Sequence, residues 1–146
     1  MAFSRTPRKR HGVVAVIVRE GKLLVIQRSQ WVRAPLAWCF PGGGVEENET
    51  EEQALVREVH EELDIITTPL KLLWKSGTPG KLDLSWWLTD MPEDAILRPH
   101  PDEVAEVQWL APSELDEIEE LLPSNVEFLQ AWRDGVFEIE GIELDV

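Results

Sequence analysis

Two apolar runs rich in β-branched residues, Gly12–Val18 and Leu23–Gln27, are separated by Arg19-Glu20-Gly21-Lys22. They predict a hairpin with glycine in its turn. Residues 29–48 carry Pro35, Pro41, Gly42, Gly43 and Gly44, which breaks both periodicities. A long loop is expected there, with a short strand at Trp38–Phe40, and loops of that length are often functional. From Thr50 the period changes. Leu55, Val59 and Leu63 recur at i, i+4 and i+8, one stripe of a helix over Thr50–Leu63, and Val56 widens it. Thr50 is the expected N-cap, and the acids that follow suit the positive end of the helix dipole. Leu70–Lys75 and Leu82–Thr89 read as strands around a Pro79-Gly80 turn, and Val104–Leu110 as another. Pro112-Ser113 opens a helix to about Leu122, and Ser124 caps a second one, Asn125–Arg133, ending near Gly135. The tail Val136–Val146 alternates apolar and acidic residues around Gly141 and reads as a small hairpin. Strands flanking one central helix give the α+β class, with a mixed sheet.

Composition narrows the picture. The 146 residues fit one domain, taken as 12–146 behind a loose basic arm at 1–11. The chain has 43% hydrophobic and 29% charged residues, the balance of a globular protein rather than a disordered one. The only cysteine is Cys39, so no intramolecular disulfide can form. The apolar run Val13–Val18 is too short for a membrane span or a signal-peptide core, and a cytoplasmic location is expected. The net charge of -14 argues against gripping a nucleic-acid polymer. It is unevenly spread. Residues 1–40 carry eight basic side chains against one acidic, and residues 90–146 carry two basic against seventeen acidic. The acidic C-terminal third reads as a solvated surface.

The acids of the middle block are spaced differently. Glu58, Glu61 and Glu62 stand at i, i+3 and i+4, so a helix places three carboxylates on one face within a turn. Like charges there repel, and a hard divalent cation such as Mg²⁺ or Mn²⁺ removes the repulsion. An exposed acidic face is the plain alternative for those three alone. The wider pattern runs from Gly43 through Glu49, Arg57-Glu58, Val59 and Glu61-Glu62 to Ile65. Chance agreement at its six fixed positions is on the order of 10⁻⁴ across so Glu-rich a chain, which makes the pattern informative. It resembles the Nudix box, with one departure: Asp64 stands where that family usually has Gly. A left-handed residue is often needed at such a helix end, and Asp tolerates it at some cost.

The resemblance to the Nudix hydrolases extends over most of the chain, from Arg28 after the second strand, through Trp38-Cys39-Phe40-Pro41-Gly42-Gly43, to Trp109-Leu110 and Ser113-Glu114-Leu115. It implies the Nudix fold, an α/β/α sandwich whose central mixed sheet is flanked by helices. It also implies cleavage of a nucleoside diphosphate linked to another moiety, with Mg²⁺ or Mn²⁺ and water. Glu58, Glu61, Glu62 and the carbonyl of Gly42 would then be metal ligands. Glu49 would pair with Arg57 and orient the loop against the helix. A carboxylate takes the water's proton: Glu61, Glu62 or a distal Glu103.

Within the family the sequence is most similar to the MutT-type (deoxy)nucleoside triphosphate pyrophosphohydrolases, which sanitise oxidised purine nucleotides such as 8-oxo-dGTP. Glu103, six residues before Trp109, matches their distal glutamate, and Pro123-Ser124-Asn125 resembles a proline–x–asparagine whose amide reads the purine edge. Arg28, Phe40 and Asn125 are thus the expected substrate contacts. Glu103, Asn125 and Arg28 each have a plainer reading, as surface acid, helix-cap residue and surface strand residue respectively. Seven tryptophans and no tyrosine point mostly to core packing, with Trp31 and Trp38 placed in the loop to stack on a base. An ADP-ribose-type pyrophosphatase is the second enzyme reading, although Pro79 lies fourteen residues past Ile65 rather than fifteen. A catalytically silent Nudix sensing module is the third reading, disfavoured because every box carboxylate is kept. A monomer or homodimer acting on a nucleotide, away from membranes, completes the expectation.

Overall fold

The computed structural model describes residues 9–144. Most of the expected arm, residues 1–8, lies outside them, as does the end of the tail. The elements are β1 (Arg10–Arg19), β2 (Lys22–Arg28), β3 (Trp38–Cys39), β4 (Gly42–Gly44), α1 (Glu51–Leu63), β5 (Thr68–Thr78), β6 (Leu82–Asp90), β7 (Val104–Leu110), α2 (Pro112–Leu115) and α3 (Pro123–Arg133). The sheet order is β3-β2-β1-β6-β5, with β4 added to β1 and β7 to β2. β1 and β6 run parallel from Arg10↔Leu82 to Ile17↔Thr89, and the other pairings are antiparallel, so the sheet is mixed as expected.

Strand alternation sorts β1 between two cores. Val13, Ala15 and Ile17 pack with Leu24, Ile26 and the Ala54, Leu55, Val59 and Leu63 stripe of α1. Val16, joined by the half-buried Val14 and Val18, packs with Leu23, Val25, Trp86 and the α3 residues Phe128 and Leu129. Each fully buried aliphatic of the α1 stripe contributes roughly 1.5–3 kcal/mol. Helices therefore cover both faces, the layered α+β arrangement expected. Trp86 and Trp87 point to opposite faces, Trp86 stacking on Phe128 and Trp87 donating its ring N–H to Glu51. Among the described residues no helix is long and apolar enough to cross a membrane.

The other edge of β1 is divided. Near its start Gly12–Val14 pair with β4, and only its last residues, Val18 and Arg19, pair with β2. β2 then leaves to pair with β3 and β7. The sheet forks between β4 and β2, and the fork opens a cleft beside Gly42–Gly44.

Four expectations need correction. β1 begins at Arg10, inside the stretch assigned to the arm. The helix expected to reach Leu122 stops at Leu115: the next residues are Asp116, Glu117, Ile118, Glu119 and Glu120, which offer a continued helix a single apolar contact. α3 starts at Pro123, with Leu122 at the N-cap and no side-chain cap, so Ser124 is inside the helix rather than capping it. The described part of the tail forms no strand. It lays Phe137, Ile139 and Ile142 into the α3 core instead.

Candidate active site

α1 is fastened at both ends. At the start, Thr50 caps it, with its hydroxyl accepting from the Gln53 amide and Gln53 returning a bond to the Thr50 amide. The adjacent Glu51 carboxylate accepts from His11 Nε2 at 2.6 Å, Ser85 Oγ at 2.8 Å and Trp87 Nε1 at 3.0 Å, tying the first turn to β1 and β6. Burial raises the Glu51 carboxyl, but these bonds outweigh it and hold the group below its ordinary value. At the far end, the carbonyls of Glu62 and Leu63 accept from the amides of His100 and Arg98, both at 2.9 Å. These are orphan carbonyls of the last turn, and satisfying them docks the 98–103 segment on the helix. Ser29 holds that segment from the other side, its amide donating to the Glu103 carbonyl and its hydroxyl to that of Asp102. Asp64 has φ 56°, the expected left-handed conformation.

This scaffold brings together Glu58, Glu62 and Glu103. Glu62 is buried at 7% exposure, and Gly42 N donates to its Oε1 at 2.9 Å. Burial raises the Glu62 carboxyl well above its ordinary value, and the charges of Glu58 and Glu103 add to the rise, while the Gly42 amide and Arg28 oppose it. Burial likewise raises Glu58, against the lowering effect of Arg57. Glu103 Oε2 is buried and makes no hydrogen bond. Glu61 is more exposed and meets Arg57 Nη1 only at 3.4 Å.

Arg57 organises the loop side. Its Nε and Nη2 donate to the two oxygens of Glu49 at 2.7 and 2.9 Å, a bidentate pair, and Nη2 also reaches the Gly44 carbonyl at 2.9 Å. Nη1 donates to Glu58 at 3.0 Å. The bond from Arg57 lowers the Glu49 carboxyl to about 2, and the same bonds hold the guanidinium far above its ordinary value. The glycines are required by closeness. A methyl on Gly43 would overlap the Glu58 carboxyl group, and one on Gly42 would overlap the Val13 carbonyl.

Whether these residues suit a divalent cation is a matter of donor chemistry. Glu58 and Glu62, raised by burial and by neighbouring charge, beside a buried, unpartnered oxygen of Glu103, are what a hard cation stabilises. Among the described residues, no three His, Cys, Asp or Glu side chains already converge as a ligand set. Arg57 and the Gly42 amide occupy one oxygen each of Glu58 and Glu62. The donors are adjacent and chemically apt, with convergence still to occur. The observed link between Gly42 and Glu62 runs through the glycine amide.

On the other side of the Gly42–Gly44 strand is a cavity of about 590 Å³. Val14, Leu84, Phe40 and Leu122 supply apolar wall, and Arg28, Ser124 and Asn125 supply polar groups. Phe40 is buried edge-on to Trp86 and Phe128. Asn125 is 3% exposed, its Oδ1 accepting from Phe40 N at 3.0 Å and its Nδ2 donating to Ser124 Oγ at 3.2 Å. Half of that amide is therefore spent on the protein's own backbone. Arg28 donates through Nε to the Arg33 carbonyl at 2.6 Å and lies beside Cys39 and Glu62. Burial, reinforced by Glu62, pushes the Cys39 thiol up to about 11, which leaves it a poor nucleophile. Trp38 packs against the α3 core, whereas Trp31 stands 72% exposed and does not line the cavity. Sequence reasoning missed Arg10, Arg33 and Ser29. Extending β1 by two residues would have placed Arg10 on the same face as Gly12 and Val14.

The chain matches known proteins along this architecture. It is 48% identical over 56 residues to the CTP pyrophosphohydrolase of Escherichia coli K12, covering 38% of this chain and 42% of that protein. It is 58% identical over 36 residues to the 8-oxo-dGTP diphosphatase of Proteus vulgaris, covering 25% and 32%. These matches span less than half the length of either relative. The solution structure of the E. coli ORF135 protein superposes with a TM-score of 0.68 at 30% identity, over 87% of this chain and 90% of that one. The profile of the NUDIX domain matches residues 8–132. With a match over that much of its length, the chain belongs to the Nudix family.

Proposed function

We propose that the chain is a divalent-cation-dependent pyrophosphohydrolase that converts a (deoxy)nucleoside triphosphate to the monophosphate and pyrophosphate. The observation that carries this reading is the crowding of Glu58, Glu62 and Glu103 along one side of the Gly42–Gly44 strand, opposite an apolar cavity of nucleoside size. Proteins of the family generally need such an ion, and Glu58, Glu61, Glu62 and the Gly42 carbonyl would hold it, as Mg²⁺ or Mn²⁺. When bound, the ion neutralises diphosphate charge and lowers the pKa of a coordinated water. Arg57 keeps Glu58 and the Gly44 carbonyl in place, with Glu49 as its anchor. Arg28, beside Glu62, offers a fork to a phosphate oxygen. Glu103 Oε2 is free to take a proton from the attacking water.

The names of the relatives, CTP pyrophosphohydrolase and 8-oxo-dGTP diphosphatase, support a triphosphate substrate and leave the base open. A panel of triphosphates, including 8-oxo-dGTP and CTP, assayed beside ADP-ribose with Mg²⁺, tests the reading by product analysis. Pyrophosphate and a nucleoside monophosphate are the expected products. ADP-ribose turning over far faster than every triphosphate would replace this reading with the nucleoside diphosphate-sugar one.

A further inference from the structure

Glu103 Oε2 is buried without a hydrogen-bond partner, so no bond fixes that oxygen from outside. Its charge is nonetheless felt at both Glu58 and Glu62. Where the carboxylate stands therefore depends on the backbone that carries it. That backbone supports itself poorly. Pro99 and Pro101 have no amide to donate. The amides of Glu103 and Val104 both turn back to the His100 carbonyl, at 3.0 and 2.8 Å, and the Asp102 amide turns back to His100 Nδ1 at 3.3 Å. These bonds close a turn without tying its tip to the rest of the fold.

Ser29 supplies the tie. Its amide donates to the Glu103 carbonyl at 3.0 Å and its hydroxyl to the Asp102 carbonyl at 2.6 Å. Among the described residues, these two hydrogen bonds link residues 101–103 to another part of the fold. Ser29 is buried at 2% exposure, where a hydroxyl needs partners. The Trp31 amide donates to the same Oγ at 3.2 Å, which occupies a lone pair and leaves the O–H for Asp102. The strand pair beside this point is irregular. Gln27 pairs with Glu106 but Arg28 pairs with Val104, so Ala105 is an extra residue in β7. A bulge of this kind bends its strand and re-aims the side chains next to it. Ser29 takes hold of the chain where it enters that bend, and its neighbour Arg28 lies beside Glu62.

We propose that Ser29 is a positioning residue: by gripping the Asp102 and Glu103 carbonyls, it sets the Glu103 carboxylate beside Glu58 and Glu62 and in register with Arg28. The use of that carboxylate as proton acceptor rests on the hydrolase reading above. Ser29 itself touches no reacting atom and acts through Glu103 alone.

The test is a double-mutant cycle on the full chain, with the best triphosphate of the panel and Mg²⁺. Ser29→Ala removes the hydroxyl and leaves the amide. It should lower kcat about tenfold with KM changed less than twofold, the mark of a displaced reacting group rather than of lost substrate contacts. In a Glu103→Gln background the same substitution should cost less than twofold. A kcat within twofold of the native value in Ser29→Ala overturns the proposal. So does an equal cost in both backgrounds, which is what a merely structural serine would give. Should Ser29→Ala fail to fold, Ser29→Cys, close in volume and a weaker donor, runs the same cycle. Crystal structures of the native chain and the variant read the placement directly. The Glu103 carboxylate should shift by about 1 Å relative to α1, enough to matter for proton transfer. An unmoved carboxylate overturns the proposal. Displacement in the variant of a native chain that turns over no triphosphate would sink the hydrolase reading and keep the tie, whereas turnover with an unmoved carboxylate would do the reverse.

Discussion

A carboxylate at 7% exposure, with one backbone amide to satisfy it and two other carboxylates nearby, is stable only when protonated or balanced by a cation. That makes Glu62 a group whose burial works against the empty fold. Below its ordinary value of 4.5 it is protonated in both folded and unfolded chains and costs nothing. As pH rises, the unfolded chain ionises first, so stability falls until the folded carboxyl has ionised too. Glu58 acts in the same direction. Glu49 acts in the opposite one: with its carboxyl lowered to about 2 by Arg57, its contribution is full above 4.5 and is lost as pH falls toward 2. In the cation-free protein, Tm should therefore decline as pH rises above the ordinary carboxylate value of 4.5. Glu62→Gln should flatten that decline, and saturating Mg²⁺ should reverse it in the native chain. The same variant, and Glu61→Gln, should cut hydrolysis by about 10²–10⁴-fold while folding normally. Thermal denaturation across pH and Mg²⁺-dependent turnover check both halves, and near-native turnover in both variants would remove the proposed ion site.

At the scale of elements, α1 ends on a residue ill-suited to its conformation. Asp64 adopts φ 56° without the freedom glycine has there, and its contact with His60 is long, at 3.6 Å, and exposed. Asp64→Gly should stabilise the chain by about 0.5–1 kcal/mol, visible as a Tm rise of roughly 3 °C, with turnover unchanged since Asp64 touches no site group. A lower Tm would show that Asp64 is supported by something other than its backbone. α1 was legible because its stripe, cap and carboxylate spacing all lie within fifteen residues. β4 was not: Gly42–Gly44 has neither alternation nor β-branched residues, and it is a strand only because Gly12–Val14 offers an edge and Glu58 and Val13 leave no room for side chains. α2 was overread for a related reason. The Pro112 start signal is genuine, but helix length is set by packing, and after Leu115 too few apolar residues face the core.

For the molecule as a whole, sequence patterning located the carboxylate half of the site and left the cavity half obscure. The carboxylates share one helix, and Glu103 was found only through family likeness. The cavity is assembled from β1, the 29–37 loop, β6 and the start of α3, segments far apart in the chain that the fork in the sheet brings together. That no described acidic residue lines it becomes visible only once those segments meet. The two-ended fastening of α1 has a consequence for how the protein opens. With Glu51 bonded to three side chains at one end and the last carbonyls bonded to the 98–103 segment at the other, local fraying of this helix is suppressed. Its amide protons should exchange with solvent deuterium only through global unfolding, whereas those of residues 30–36, exposed and carrying positive φ at Ala34 and Leu36, should exchange many orders faster. Comparable rates in the two segments, measured by native-state exchange, would refute this. If it holds, the carboxylates of α1 and the loop that brings Arg33 to the cavity belong to separate cooperative units, so substitutions in residues 30–36 can reshape the cavity without loosening α1.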